Sequence, residues 1–412
     1  MSSWPLVRVD ELCELRPQKS EARGRLKPTD LVSFVPMNDL PVDRKWFSAS
    51  ESRALCDVEG SYTYFADGDV LLAKITPCFE NGKLGIARNL KNGAGFGSSE
   101  FFVLRPSARL LAEYLYYFLS RSDYRERGAK VMTGAVGHRR VPKEFIEGTQ
   151  IPLPPLPEQR RIVAILDEAF EGIAKATANA ERNLANAREL FNRHLKLLFF
   201  HSINDQWARG TLDDICDAIG GAGFPKEYQG CLDEEFPFYK VSDMNILGNE
   251  REMKQHNNSI SESVRKALGA NVVPAGSTIF PKIGGAVSTN KKRITTLPCC
   301  VDNNVMAVSP KSGKGSGSFL YWVMRSIDLI EMANDAHLPS IKKSTVEAWP
   351  ISFPRSIALQ VKIADALDVL EDSVRSVEKI NEARVVLLAE LRSTILHKAF
   401  SGQLTGKEDV AA

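Results

Sequence analysis

The sequence predicts a mixed α/β (α+β) chain of two globular units, each followed by a long helix, the two helices pairing as an antiparallel coiled coil with pseudo-two-fold symmetry. Three observations carry this expectation: a proline-rich hinge that occurs twice, a proline-poor segment of coiled-coil period after each hinge, and many short strand patterns before each hinge. The expected boundaries are 1–150 for the first globular unit and 151–201 for its hinge and helix. The second unit then takes 202–350, and its hinge, helix and C-terminal tail take 351–412.

The first hinge reads IPLPPLPEQRRIVAILDEAF, Ile151–Phe170. Proline fixes φ and has no amide to donate, so this run holds the chain extended and cannot lie inside a helix. Glu158 then falls in the first helical turn, where its carboxylate suits the helix dipole. A weaker copy follows about 200 residues later: ISFP at Ile351–Pro354, then QVKIADALD from Gln360 against QRRIVAILD from Gln159. The offset continues without a gap, bringing Phe199 opposite Phe400.

The regions before the hinges correspond more loosely. Trp4–Cys13 aligns with Trp207–Cys216, and Asp67–Ile75 with Pro274–Ile283, which sets Lys74 against Lys282. Glu113–Ser120 aligns with Ser318–Ser326, and Gly137–Val141 lies near Pro339–Ser344. Several blocks in the same order read as a duplication.

From Glu158 to about Phe200 there is no proline and one glycine, Gly172. Apolar or small residues recur at Ile162, Leu166, Ala169, Ile173, Ala176, Ala180, Ala187 and Leu190, in steps of four and three. From about Leu359 to Phe400 the matching seam is Ile363, Leu367, Leu370, Val374, Val377, Leu388, Leu391 and Ile395. Each helix would be roughly 60 Å long. Asn183, opposite Arg384 in the repeat, is the expected polar interruption. Two unrelated amphipathic helices on separate cores are the competing reading.

Within the first globular unit, SYTYFADGDVLLAKI alternates, turns at Asp67-Gly68 and resumes as an apolar strand. SSEFFVLRP reads as a buried strand ended by Pro106, and LLAEYLYYFLSRSDYRERGA as a helix whose aromatic stripe belongs to the core. The seven cysteines form no CxxC pair, and with few histidines nearby they read as buried reduced thiols rather than a zinc site.

At 43% hydrophobic and 25% charged, the composition is that of a globular chain. No apolar run reaches membrane-spanning length, and the opening MSSWPLVRVDEL lacks a secretion-signal core, so a cytoplasmic protein is expected. The net charge of +2 puts any nucleic-acid binding into local basic patches.

Those patches lie in loops. In the first half they comprise Lys19, Arg23 and Arg25, then Lys74, then Asn81 and Lys83, then His138, Arg139 and Arg140. In the second half the equivalent loops hold Lys226, then Lys282, Asn290, Lys291, Lys292 and Arg293, then Lys342 and Lys343. Such residues can grip phosphates, and Arg and Asn can read base edges in the major groove. Any single one is equally well read as solvated surface; their clustering at matching places in both halves raises them above that reading. No phosphate-binding P-loop, adenine-methylase base-holding element, HExxH or nucleophile–His pairing stands out. His138 and His337 fit DNA contact better than catalysis. This is the pattern of a recognition protein without a catalytic centre.

On IPLPPLPEQRRIVAILDEAF, KITPCFENGKLG and the C-terminal ILHKAFSGQL, the chain resembles the specificity subunit of type I restriction–modification systems over essentially its whole length. The second hinge departs from the pattern: no glutamate immediately precedes Gln360, and the triple-proline run is missing. The resemblance implies that each globular unit is a target recognition domain for half of a bipartite double-stranded DNA target, and that the helices set the spacer. It also implies docking of two modification subunits, which methylate adenine N6, and of two restriction/translocase subunits. S-adenosylmethionine, ATP and Mg would sit only on those partners, and this subunit would hold no cofactor or metal. The residues expected in partner docking and helix pairing are Glu158, Gln159, Ile162, Leu166 and Ile173, with Gln360, Ile363, Leu367, Leu370 and Val374. The alternatives are a self-contained methyltransferase or nuclease, and a coiled-coil scaffold that does not bind DNA.

Overall fold

The computed structural model describes residues 4–135, 137–201, 206–334 and 337–405, so the end of the expected tail, 406–412, lies outside it. It divides into two compact units, 1–180 with 383–412, and 181–382. Each unit therefore holds a globular portion together with part of both long helices, Leu156–His201 and Ile357–Ser401.

The first unit is built on a five-stranded sheet in the order Cys13–Leu15, Phe101–Pro106, Val70–Ala73, Leu84–Ala87, Trp46–Phe47. A four-stranded sheet accompanies it, ordered Glu51–Ala54, Leu31–Val35, Ala94–Gly97, Thr63–Ala66. The turn between Thr63–Ala66 and Val70–Ala73 carries Gly68 at φ +87°, a conformation that side chains other than glycine's resist. The aromatic segment forms two helices, Ala112–Leu119 and Ser122–Lys130, and its Tyr114, Tyr116, Tyr117 and Phe118 are buried in the core. The strand Leu6–Arg8 pairs antiparallel with Gln150–Pro152, which ties the chain's beginning to the first hinge.

The second unit repeats this plan. Its five-stranded sheet runs Cys216–Gly220, Val305–Pro310, Thr278–Pro281, Arg293–Thr295, Glu252–Met253, and Trp207–Thr211 pairs with the second hinge, Pro350–Pro354. The smaller sheet has three strands here instead of four.

Both long helices start two residues before their sequence-based estimates. Pro157 falls in the first turn, where the missing N–H has no intrahelical partner to lose. In the first unit, Ile162, Val163 and Leu166 share a core with Leu396, Ala399 and Phe400, and the Arg392 guanidinium lies 4.9 Å over the Phe170 ring. In the second unit, Phe191, Leu195 and Phe199 share a core with Ala364 and Leu367, and Arg188 pairs with Glu378 at 2.6 Å. In each unit one helix number rises as the other falls, so the paired stretches are antiparallel.

The helix ends anchor these cores. Phe400 meets Tyr114 and Phe118 with ring centroids 5.0 and 5.2 Å apart, and Phe199 meets Phe319 at 5.4 Å. Burying one such ring contributes roughly 2–3 kcal/mol.

The covered face differs from the expected seam at several positions. Leu190 is 66% exposed, and Phe191, one residue on, is buried in its place. Leu370 is 38% exposed, while the neighbouring Glu371 is buried against Arg251, Arg325 and Arg375. A carboxylate held among three guanidiniums can occupy a buried position that an unpaired one could not. Asn183 and Arg384 are exposed, while Asn381, three residues before Arg384, is buried. Of the seven free cysteines, Cys56 and Cys231 are exposed rather than buried. Among the described residues no helix is long and apolar enough to cross a membrane.

Candidate nucleic-acid interface

Main-chain bonds bring the basic loops together, in the same way in both units. In the first, Val141 N donates to Lys74 O at 2.9 Å and Thr76 N to Arg139 O at 2.9 Å, which sets the loop ending in Arg140 beside the strand end bearing Lys74. In the second, Ile341 N donates to Lys282 O at 2.8 Å and Gly284 N to Pro339 O at 2.7 Å, which sets Lys342 beside Lys282.

The side chains divide into those left free and those already engaged. Lys226, Lys282 and Lys342 make no side-chain hydrogen bond or ion pair among the described residues. Asn81 and His138 are exposed. Arg140 binds Glu100 through two bonds of 2.9 and 2.8 Å, which holds the Glu100 carboxyl below the usual range. Burial lowers the Lys74 ammonium, which lies 3.9 Å from the same carboxylate. Lys343 pairs with Glu347, and Arg23 with Glu59. Lys19 donates to the carbonyls of Glu59 and Gly60, and Lys83 to those of Met37 and Asn38. Arg25 reaches Glu21 O, and Lys291 donates to the Asn245 side chain.

Four expected contacts are structural instead. Lys292 is 1% exposed, and its ammonium donates to Ile327 O at 2.7 Å and to Asn290 Oδ1 at 2.5 Å. Burial pushes it down to about 7. Asn290 sits at φ +54°, and its Oδ1 also accepts from Leu329 N, so its side chain closes a turn. Arg139 spends its guanidinium on the carbonyls of Met132 and Ala129. Arg293, half-buried, donates to the carbonyls of Lys292 and Met244.

Gln159 and Gln360 also change role. Each is 0% exposed. Gln159 accepts from Leu111 N and donates to Arg109 O and Pro154 O, all at 2.9 Å. Gln360 accepts from Ser316 N at 2.8 Å and donates to Lys314 O and Pro354 O at 3.0 and 2.9 Å. Their amides are satisfied inside the unit, so they join the helix to the globular portion and are unavailable for docking.

A second joint lies two turns on. Asp167 accepts from Lys45 at 2.5 and 2.7 Å and from the Tyr117 hydroxyl. Asp368 accepts from Arg251 at 2.5 Å and from Trp322 Nε1 at 2.8 Å. In both units a cation and an aromatic donor from the globular portion converge on one helix aspartate.

Sequence reasoning missed Arg16. It precedes the basic loop, is exposed, and stands at φ +59° on the first unit's cationic face. No spacing signal marks it. Among the described residues, no group of three His, Cys, Asp or Glu is placed to hold a metal ion.

A family model described as the type I restriction modification DNA specificity domain matches residues 1–181 and again 204–383. The type I restriction enzyme EcoEI specificity subunit of Escherichia coli is 38% identical over 164 residues, 39% of this chain and 26% of that protein. The match thus spans about a quarter of that relative's length. A chain solved for the structural basis of complex assembly and conformational transition of the type I R-M system aligns over 97% of this chain and 98% of its own, with TM-score 0.78 and 20% identity. The HsdS subunit from Thermoanaerobacter tengcongensis aligns over 97% of each chain, with TM-score 0.66 and 18% identity. At these identities the structural likeness is one of fold.

Proposed function

The chain belongs to the type I restriction modification DNA specificity family, and from that premise we propose that it is the DNA-recognition subunit of a type I restriction–modification complex, with no catalytic centre of its own. The observation that carries this reading is the doubled family domain, together with a basic loop pair built by the same main-chain bonds in each unit. Each unit reads one half of a bipartite duplex target. The exposed Lys226 and Lys342 and the half-buried Lys282 meet phosphates, which orient the protein without specifying sequence.

The two long helices, each contributing to both units, set the separation of the half-sites. They also carry the docking surfaces for two modification subunits, which bring S-adenosylmethionine. Exposed Val369, Ile380 and Leu387 on the second helix support such docking. Two restriction/translocase subunits, with ATP and Mg, complete the complex in the cytoplasm.

The test is to map methylated adenines in host DNA with and without this gene, and with residues 1–150 exchanged for another recognition unit. The expected result is a bipartite motif that needs the gene and changes in one half only. A motif that survives deletion, or changes in both halves, overturns the reading.

A further inference from the structure

A cleft of about 290 Å³ opens in the first unit, lined by the half-buried Phe102 together with Arg16, Lys74, Arg140 and Lys143. Two carboxylates answer these four cations: Glu100, facing Arg140 and Lys74, and Glu147, facing Lys143. Arg16 has no carboxylate within ion-pair distance among the described residues. Burial, and after it the charge of Arg16, lowers the ammoniums of Lys19 and Lys74. Uncompensated cations gathered at one mouth attract an anion.

The backbone adds a second, independent observation. Among the described residues, those other than glycine with positive φ are Arg16, Asp43, Asn89, Asn92 and Asn290. Asn and Asp tolerate this region; a long side chain there is uncommon and points to a local constraint. The Arg16 amide donates to Val103 O at 2.9 Å, pinning the residue at the end of the sheet, where it lines both this cleft and a second one beside Lys19 and Arg23.

We infer that this cleft is a nucleotide-binding site, with a planar base against Phe102 and the attached phosphate on Arg16 and Lys74. A bare phosphate would leave the Phe102 ring unused, and an uncharged ring would leave the cations unanswered. Free nucleotides and a nucleotide unstacked from DNA share this chemistry; the DNA source rests on the function proposed above. The site belongs to the first unit alone. By strand register the counterpart of Arg16 is Ile219, paired with Ala307, which cannot bind an anion.

The test uses the full chain. Calorimetric titration with the four deoxynucleoside 5′-monophosphates is compared with deoxyribose 5-phosphate. In parallel, a duplex carrying one bulged 2-aminopurine is followed by fluorescence. Saturable binding in either arm is expected, with the sugar phosphate at least tenfold weaker. Arg16→Asn, which keeps a residue tolerant of positive φ, should lose at least tenfold; Arg16→Lys should lose less; Lys74→Met checks the second cation. Monophosphate binding identifies a free nucleotide, and a response of the bulged duplex alone identifies DNA. Silence in both arms, or equal binding of the sugar phosphate, overturns the inference. Binding of the mapped target duplex by the assembled complex is measured alongside: if it persists while both arms are silent, the cleft proposal alone falls.

Discussion

Gln159 and Gln360 make the same three hydrogen bonds, each from a fully buried side chain at the start of a long helix. The partners are main-chain groups in both cases: one N–H from the globular portion, one carbonyl beside it and one carbonyl in the hinge. Replacing either glutamine with leucine strands these groups in the interior. Unsatisfied buried groups cost about 1–3 kcal/mol each, so Gln159→Leu and Gln360→Leu should each lose about 3 kcal/mol in urea unfolding. A loss well under 1 kcal/mol would show that the joint is not held this way.

The aspartate joints are more exposed and correspondingly weaker. A double-mutant cycle of Arg251→Met with Asp368→Asn should return a coupling of about 1 kcal/mol, in the range of half-exposed ion pairs. Trp322→Phe should cost a further, separable amount, because its Nε1 donates to the same oxygen. Additive single effects would sink the prediction.

Lys292 gives stability a pH dependence. Burial lowers its ammonium to about 7 in the folded chain, against its ordinary value of 10.5 when unfolded. Between these values the unfolded chain holds the extra proton, so stability rises with pH from about 7 to about 10. The slope is at most about 1.4 kcal/mol per pH unit. Urea midpoints at pH 7, 8 and 9 should climb in the unaltered chain and climb less in Lys292→Met. Parallel profiles would rule this out.

The same residue separates the two classes of lysine. In the assembled complex, Lys226→Ala and Lys342→Ala should each weaken target binding and reduce the salt slope by about 1. Lys292→Met should leave that slope unchanged. The checking measurement is binding to the mapped target between 50 and 200 mM salt.

Lengthening both long helices by the same whole number of turns should change the spacer of the methylated motif and leave both half-sites as they were. An unchanged spacer would remove the helices from that role.

The duplication, the order of the elements and the two long helices were legible because each rests on a pattern local in the chain: prolines bar helix interiors, and a four-three apolar rhythm marks a covered face. The fate of individual polar side chains was not. Lys292 reads like Lys291 in the sequence, yet one turns inward to Ile327 O, 35 residues away, and the other does not. Leu370 was expected on the covered face because leucine suits one, but three arginines, one of them 120 residues distant, let Glu371 take that position. Arg16 escaped notice because what distinguishes it is a backbone angle and neighbours assembled by the sheet. Such pairings are set by tertiary approach, which no spacing records.

The glutamine joints have a consequence for inheritance. Because their bonds to the globular portion end on main-chain atoms, which every non-proline residue supplies, they place little demand on what sequence lies there. A foreign recognition segment spliced in at the hinge would find the same fastening waiting. On the function proposed above, the hinge is thus a point at which one recognition segment can replace another while the fastening stays intact.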